Sequence, residues 1–124
     1  MTLLLDTHVF LWWRLDSPRL KKPARNAIAT AEIVWVSAAS GWEVAIKQQL
    51  GRLHLTESFT ATVAASDIRE LAVTFRHTDH LSSLPMHHAD PFDRMLVAQA
   101  TAERATLVTH DRRLQPYDVT ILWA

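Results

Sequence analysis

Apolar residues along this chain fall into short unbroken runs that alternate with longer stretches of helical period. Leu3, Leu4 and Leu5 make one such run, closed by Asp6, and Ile33 to Val36 makes another, closed by Ser37. Runs without polar alternation are what strands buried on both faces require. Leu71 to Phe75, Thr106 to Thr109 and Thr120 to Trp123 read as further strands. Between them, Val9 to Trp13, Lys22 to Thr30, Ser40 to Leu50, Glu57 to Ser66, Arg76 to Leu84 and the stretch from Asp90 to Ala102 read as helices. Strands alternating with helices predict an α/β sandwich with a mainly parallel sheet.

The strongest helix signal starts at Asp90. Aspartate is a good N-cap, Pro91 fits the first helical position, and Phe92, Met95, Leu96, Gln99 and Ala102 follow at helical spacing. Two carboxylates, Asp90 and Asp93, therefore share its first turn. Capping and the helix dipole account for both without any chemistry. In the same way Ser40 and Glu43 have capping-box spacing ahead of a buried stripe of Trp42, Ala45, Ile46 and Gln49 or Leu50, and Gly51 is a natural stop. Glu43 has a second structural use as the partner of Lys47 four residues on.

Composition narrows the possibilities. With 124 residues the chain reads as one domain spanning 1–124, and 48% hydrophobic content with five tryptophans fits a well-filled core. Trp12, Trp13 and Trp42 exceed what a small core easily encloses, so part of this apolar area suggests an interface. The formal net charge is zero, which argues against a general polyanion binder. Cysteine is absent, compatible with a cytoplasmic protein, and no apolar run suggests a secretory leader or a membrane span. Two glycines, Gly41 and Gly51, cannot assemble a dinucleotide or Walker-type phosphate loop. Of the seven histidines, His77 with His80 and His87 with His88 invite zinc but read as loop polar groups, since no cysteine or paired-histidine helix accompanies them. No small-residue elbow surrounds Ser37 or Ser40 to make a nucleophile.

Four acids recur at element boundaries. Asp6 and Asp111 each follow a strand, while Glu43 and Asp93 lie in the first turn of a helix. In open parallel sheets such positions converge at the carboxyl edge, near the topological switch point. Carboxylates brought that close repel, and a hard cation is the economical remedy. Magnesium or manganese suits oxygen ligands and can activate water against a phosphodiester. Lys47, Arg52, Arg94, Arg112 and Arg113 lie near these acids in sequence, placed either to hold a phosphate backbone or to remain solvated surface charge. Two alternatives are a magnesium-binding, receiver-like signalling module and a metal-free interaction domain. The first wants paired acids after the first strand and a lysine after the last, and neither is present.

The motifs Leu3-Leu4-Leu5-Asp6-Thr7-His8, Ser37 with Trp42-Glu43, Asp90-Pro91-Phe92-Asp93-Arg94 with Ala98-Gln99-Ala100, and Val108-Thr109-His110-Asp111 follow in order across nearly the whole chain. Together they resemble the PIN-domain ribonucleases, specifically the VapC toxins of bacterial VapBC toxin-antitoxin pairs. The resemblance implies a three-layer, Rossmann-like α/β/α fold, magnesium-dependent endoribonuclease activity with manganese as a substitute, homodimerisation and inhibition by a VapB antitoxin, through which alone it would meet DNA. Carried over by position, the catalytic and metal-binding acids are Asp6, Glu43, Asp93 and Asp111, with the hydroxyl of Thr7 or Ser37 assisting. Asp93 takes the third place because the run from Asp93 to Ala100 reproduces the family register, with Asp90 as the alternative.

Overall fold

The structure, a computed structural model, describes residues 1–124. Strands β1 (Thr2–Leu5), β2 (Ile33–Ser37), β3 (Arg69–Leu71), β4 (Thr106–Thr109) and β5 (Ile121–Trp123) form one sheet in the order β3-β2-β1-β4-β5, every pair parallel. Helices α1 (Thr7–Arg14), α2 (Lys22–Thr30), α3 (Ala38–Gln49), α4 (Phe59–Ala64), α5 (Phe75–Ser82) and α6 (Pro91–Glu103) connect the first four strands. A 3-10 turn at Arg112–Leu114 follows β4.

The unbroken apolar runs are explained by two separate cores. Leu3 and Leu5 pack with Val34, Val36 and Val108, under Val9 and Phe10 of α1 and Ala24 and Ile28 of α2. Leu4 turns the other way, joining Leu107 beneath Leu96, Val97 and Ala100 of α6. Each of the three leucines is fully buried, and each burial contributes about 1.5–3 kcal/mol. Helices on both faces of the parallel sheet give the expected α/β/α sandwich.

Strand order determines where a site can form. The chain steps outward from β1 through β2 to β3, then returns to lay β4 against the other side of β1. Connections therefore leave the carboxyl ends of β1 and β4 in opposite directions, which opens the crevice of a switch point. Leu5 is in register with Val108, so the next residues, Asp6 and Thr109, sit side by side at its floor.

Three local expectations fail. The buried face of α3 is Ala39, Ser40, Glu43 and Val44, while Trp42, Ala45 and Leu50 are exposed, because the helix starts three residues earlier and turns Glu43 to the sheet edge. The N-cap of α3 is Ser37 and not Ser40: its Oγ accepts from the Ala39 amide at 3.0 Å. Strand β2 runs into Ser37 and the chain turns straight into the helix, so the first serine takes the cap. Ser40 and Glu43 lie inside the helix, and no capping box forms between them. The third strand is Arg69–Leu71 rather than Leu71 to Phe75, because Thr74 caps α5 in a box with His77 and draws Phe75 into the helix. Local capping there outweighs the strand propensity of Val73 and Phe75.

Helix α6 ends on Arg104, which has a left-handed backbone at φ 54°. Its N–H returns to the Ala100 and Thr101 carbonyls. The position suits glycine, so Arg104→Gly is expected to raise unfolding free energy by roughly 0.5–1 kcal/mol and Arg104→Val to lower it. Urea titration of the two variants beside the parent chain checks both signs.

Candidate active site

Asp6 ends β1 with its carboxylate held from two sides. Oδ1 accepts the Val9 amide at 2.8 Å and so caps α1, while Oδ2 accepts the Thr109 hydroxyl at 2.6 Å. Burial lifts this carboxyl above the ordinary aspartate range, against the lowering effect of the two hydrogen bonds and of His110 and His8 nearby. The ring of His110 stands 3.9 Å from Oδ2.

Glu43 reaches the same edge from α3 and is buried. Thr7 donates to its Oε1 at 2.7 Å and lies 2.9 Å from Ser40 Oγ, while Lys47 Nζ sits 2.7 Å from Oε2. Thr7 thus joins the site, and Ser37 is occupied as the α3 cap. The structural pairing of Glu43 with Lys47 is present in full.

Asp90 and Asp93 divide the first turn of α6. Asp90 is the N-cap: its Oδ1 accepts from the Phe92 amide at 2.8 Å and the Asp93 amide at 3.1 Å. Asp93 is pushed up to about 6 by desolvation first, then by the charges of Asp90, Asp6 and Asp111, against a hydrogen bond with His88. Asp111 goes the opposite way, held below the usual range chiefly by the Arg113 guanidinium, whose Nη2 is 2.9 Å from Oδ2. Asp111 also caps the 3-10 turn through the Arg113 amide at 3.1 Å.

His88 is the residue that sequence reading missed. Its buried ring places Nε2 3.0 Å from Asp93 Oδ2 and 3.5 Å from Asp111 Oδ2. Tyr117 fixes the segment that carries it: the phenol oxygen accepts from the His87 and His88 amides at 3.2 and 3.1 Å. Arg94, 3.1 Å from that oxygen, also donates to the Pro85 and Leu84 carbonyls at 2.8 and 3.3 Å. The only local sign of this arrangement was a histidine two residues before a helix-capping aspartate. His77, also read as a loop residue, lies buried within α5 against Glu103, 2.9 Å away.

Donor atoms of His88, Asp90 and Asp93 all lie within 4.8 Å of one another. Carboxylate oxygens with one imidazole nitrogen, mutually repulsive and short of cations, fit a hard or borderline divalent ion such as Mg2+ or Mn2+. The basic residues near the acids face other tasks: Lys47 holds Glu43, Arg113 holds Asp111, Arg94 braces Tyr117, and Arg112 lies 4.2 Å over the Trp123 ring.

A family model described as "PIN domain" matches residues 3–119. The chain belongs to the PIN-domain family, VapC type. It is 33% identical over 119 residues to "Ribonuclease VapC22" of Mycobacterium tuberculosis, covering 94% of this chain and 92% of that relative. Among solved structures, VapBC2 from Rickettsia felis, bound to a DNA fragment from its promoter, matches with a TM-score of 0.75 at 15% identity, covering 99% of this chain and 98% of that one. FitAcB from Neisseria gonorrhoeae gives 0.67 at 17% identity, with 98% and 96% covered. DNA-bound VapBC from Salmonella typhimurium gives 0.68 at 13%, with 99% and 98% covered. This PIN domain keeps the lone acid after β1, so the receiver-like alternative gives way to the family assignment.

Substitutions at two positions at the start of α6 separate structural from electrostatic roles in metal-free protein. The Asp93 carboxyl rises from 3.8 to about 6 in the fold, so folding favours its protonated form. Its cost is absent below about pH 4 and complete above about pH 6. Asp93→Asn is expected to raise stability at pH 7 by roughly 2–3 kcal/mol, the gain fading as the pH falls from 6 to 4. Asp90→Ala is expected to cost about 1 kcal/mol and Asp90→Ser almost nothing. Thermal melts of the three variants across that pH range are the measurement.

Proposed function

We propose that this chain is a magnesium-dependent endoribonuclease toxin, with Mn2+ as substitute, restrained by a VapB-type antitoxin. One observation carries the reading: acids far apart in sequence meet at one edge, where Asp93 Oδ2 and Asp111 Oδ2 lie 3.0 and 3.5 Å from the same His88 nitrogen. Carboxylates gathered this closely at one edge call for positive charge. The name of the Mycobacterium tuberculosis relative supplies the reaction class, and the solved complexes supply the antitoxin as partner.

In this reading Asp6, Glu43, Asp93 and Asp111 hold the metal. A bound divalent ion supplies Lewis-acid activation of water and neutralises charge on the phosphodiester. Asp6 is presented by its own helix cap and by Thr109, so its position is fixed before ligand arrives. Thr7 orients Glu43 through Oε1 while Lys47 balances Oε2. His88 aligns Asp93 and Asp111, a supporting role of the kind that second-layer hydrogen bonds give to metal carboxylates. Phosphodiester chemistry of this type does not distinguish one RNA class from another. A homodimer completes the proposal, supported by Leu15, Leu50 and Phe75, apolar side chains that the single chain leaves in water. No helix is long and apolar enough to cross a membrane.

Purified protein is expected to cut RNA with Mg2+ or Mn2+ and to stop in chelator, while Asp6→Asn and Glu43→Gln abolish cutting without unfolding the chain. Undiminished cleavage in chelator, or by both amide variants, would remove the proposal. Size-exclusion chromatography with light scattering at micromolar concentration is expected to show twice the chain mass, and a monomer would remove the dimer.

A further inference from the structure

Two aromatic groups lie at the edge that carries the acids, each with a ring open to solvent, His8 and His110 in one and Trp42 in the other. On the Asp6 side, the His110 ring packs against Trp12 with centroids 4.7 Å apart, and the His8 ring meets His110 edge-on at 5.6 Å. His8 is exposed, His110 has 43% of its side chain in solvent, and Trp12 backs them from a half-buried position. This group touches the site directly, since His110 lies 3.9 Å from Asp6 Oδ2. The second group joins α3 to α6: Trp42, 63% exposed, sits edge to face with Phe92 at 5.0 Å. Trp42 precedes Glu43 and Phe92 precedes Asp93, so these rings come from the very turns that deliver two of the acids.

Few of the basic residues near these carboxylates are left to hold a strand of RNA. Net charge is zero, and Lys47, Arg94 and Arg113 are tied to Glu43, Tyr117 and Asp111. Ring faces offer a further source of affinity, and they bind unpaired bases irrespective of the phosphate charge. A large indole left in water beside a charged cleft is a surface that a partner covers, and its place beside Glu43 makes a base the fitting one.

The geometry points to these two groups as base-stacking subsites for single-stranded RNA, one on each side of the phosphate presented to the acids: His8 and His110 backed by Trp12 on one side, and Trp42 with Phe92 on the other. This rests on the ribonuclease reading above and adds which side chains would receive the bases on either side of the cut. Base-paired RNA, whose bases stack on one another, is excluded from both subsites.

The test uses the whole protein and two fluorescently labelled strands of equal length, a single-stranded RNA and the same backbone with abasic residues at its centre. Fluorescence anisotropy in chelator is expected to show about 10-fold tighter binding of the base-bearing strand. His8→Ala and Trp42→Ala are each expected to remove most of that preference, and His8→Phe and Trp42→Phe, which keep a ring, to restore it. Equal binding of the two strands by the parent chain, preference retained in both alanine variants, or preference lost equally in the phenylalanine variants would overturn the inference. So would a Trp42→Ala chain that turns from dimer to monomer with its base preference intact, since Trp42 would then belong to an interface between copies. Cleavage of the RNA in Mg2+ by the parent chain is scored separately: if it persists while the stacking results fail, the ribonuclease reading stands and only the subsites fall.

Discussion

The acidic edge depends on the Asp6 carboxylate being gripped from both sides. The Val9 amide fixes the angle at which α1 leaves the sheet, and the Thr109 hydroxyl locks the end of β4 to the end of β1. These two donors lower the cost of keeping a charge at the bottom of the crevice, yet burial still prevails and the carboxyl remains raised. The same deficit of positive charge extends outward to Asp93. His88 and Arg113 partly offset it, one between Asp93 and Asp111 and the other on Asp111 alone.

A parallel sheet with helical crossovers delivers helix N-termini to one edge, and this has a chemical consequence. Helix N-termini favour acids, because unpaired amides and the dipole both attract negative charge. Asp6 caps α1, Asp90 caps α6 and Asp111 caps the 3-10 turn, each with one carboxylate oxygen. Structure alone thus gathers aspartates where ligands bind, and the oxygen not used for capping takes another partner, Thr109 at Asp6 and Arg113 at Asp111. A cap and a ligand are not competing readings of these residues, since one carboxylate has atoms enough for both.

What was legible in the sequence was what neighbours in the chain decide. Unbroken apolar runs placed β1, β2 and β4, and Asp90-Pro91 set the start of α6, because burial on both faces and capping are local demands. Ser37 against Ser40 was decided by how far β2 continued, and the third strand by a Thr74–His77 box. Both are contests between adjacent signals of similar strength. His88 was invisible for a different reason: its partners are Asp93 and Asp111, and its backbone is held by Tyr117 nearly thirty residues later. The commitment of Arg94 and Arg113 to internal partners was hidden likewise, because a basic residue near acids in sequence says nothing of which oxygen it will meet. The ordered motifs of the PIN-domain family supplied the rest, by matching positions that pattern alone left open.

The bond from Thr109 to Asp6 spans 103 residues. During synthesis the chain emerges from its first residue onward, and local elements form before their distant partners exist. Asp6 can cap α1 early, but the crevice has only one wall until β4 has been made, and His88 has no anchor until Tyr117 follows. A truncated or unfinished chain therefore carries the first two acids without the other half of the centre. By taking its closing contacts from Thr109 and Tyr117, the fold ties Asp6 and His88 to segments made 103 and 29 residues later.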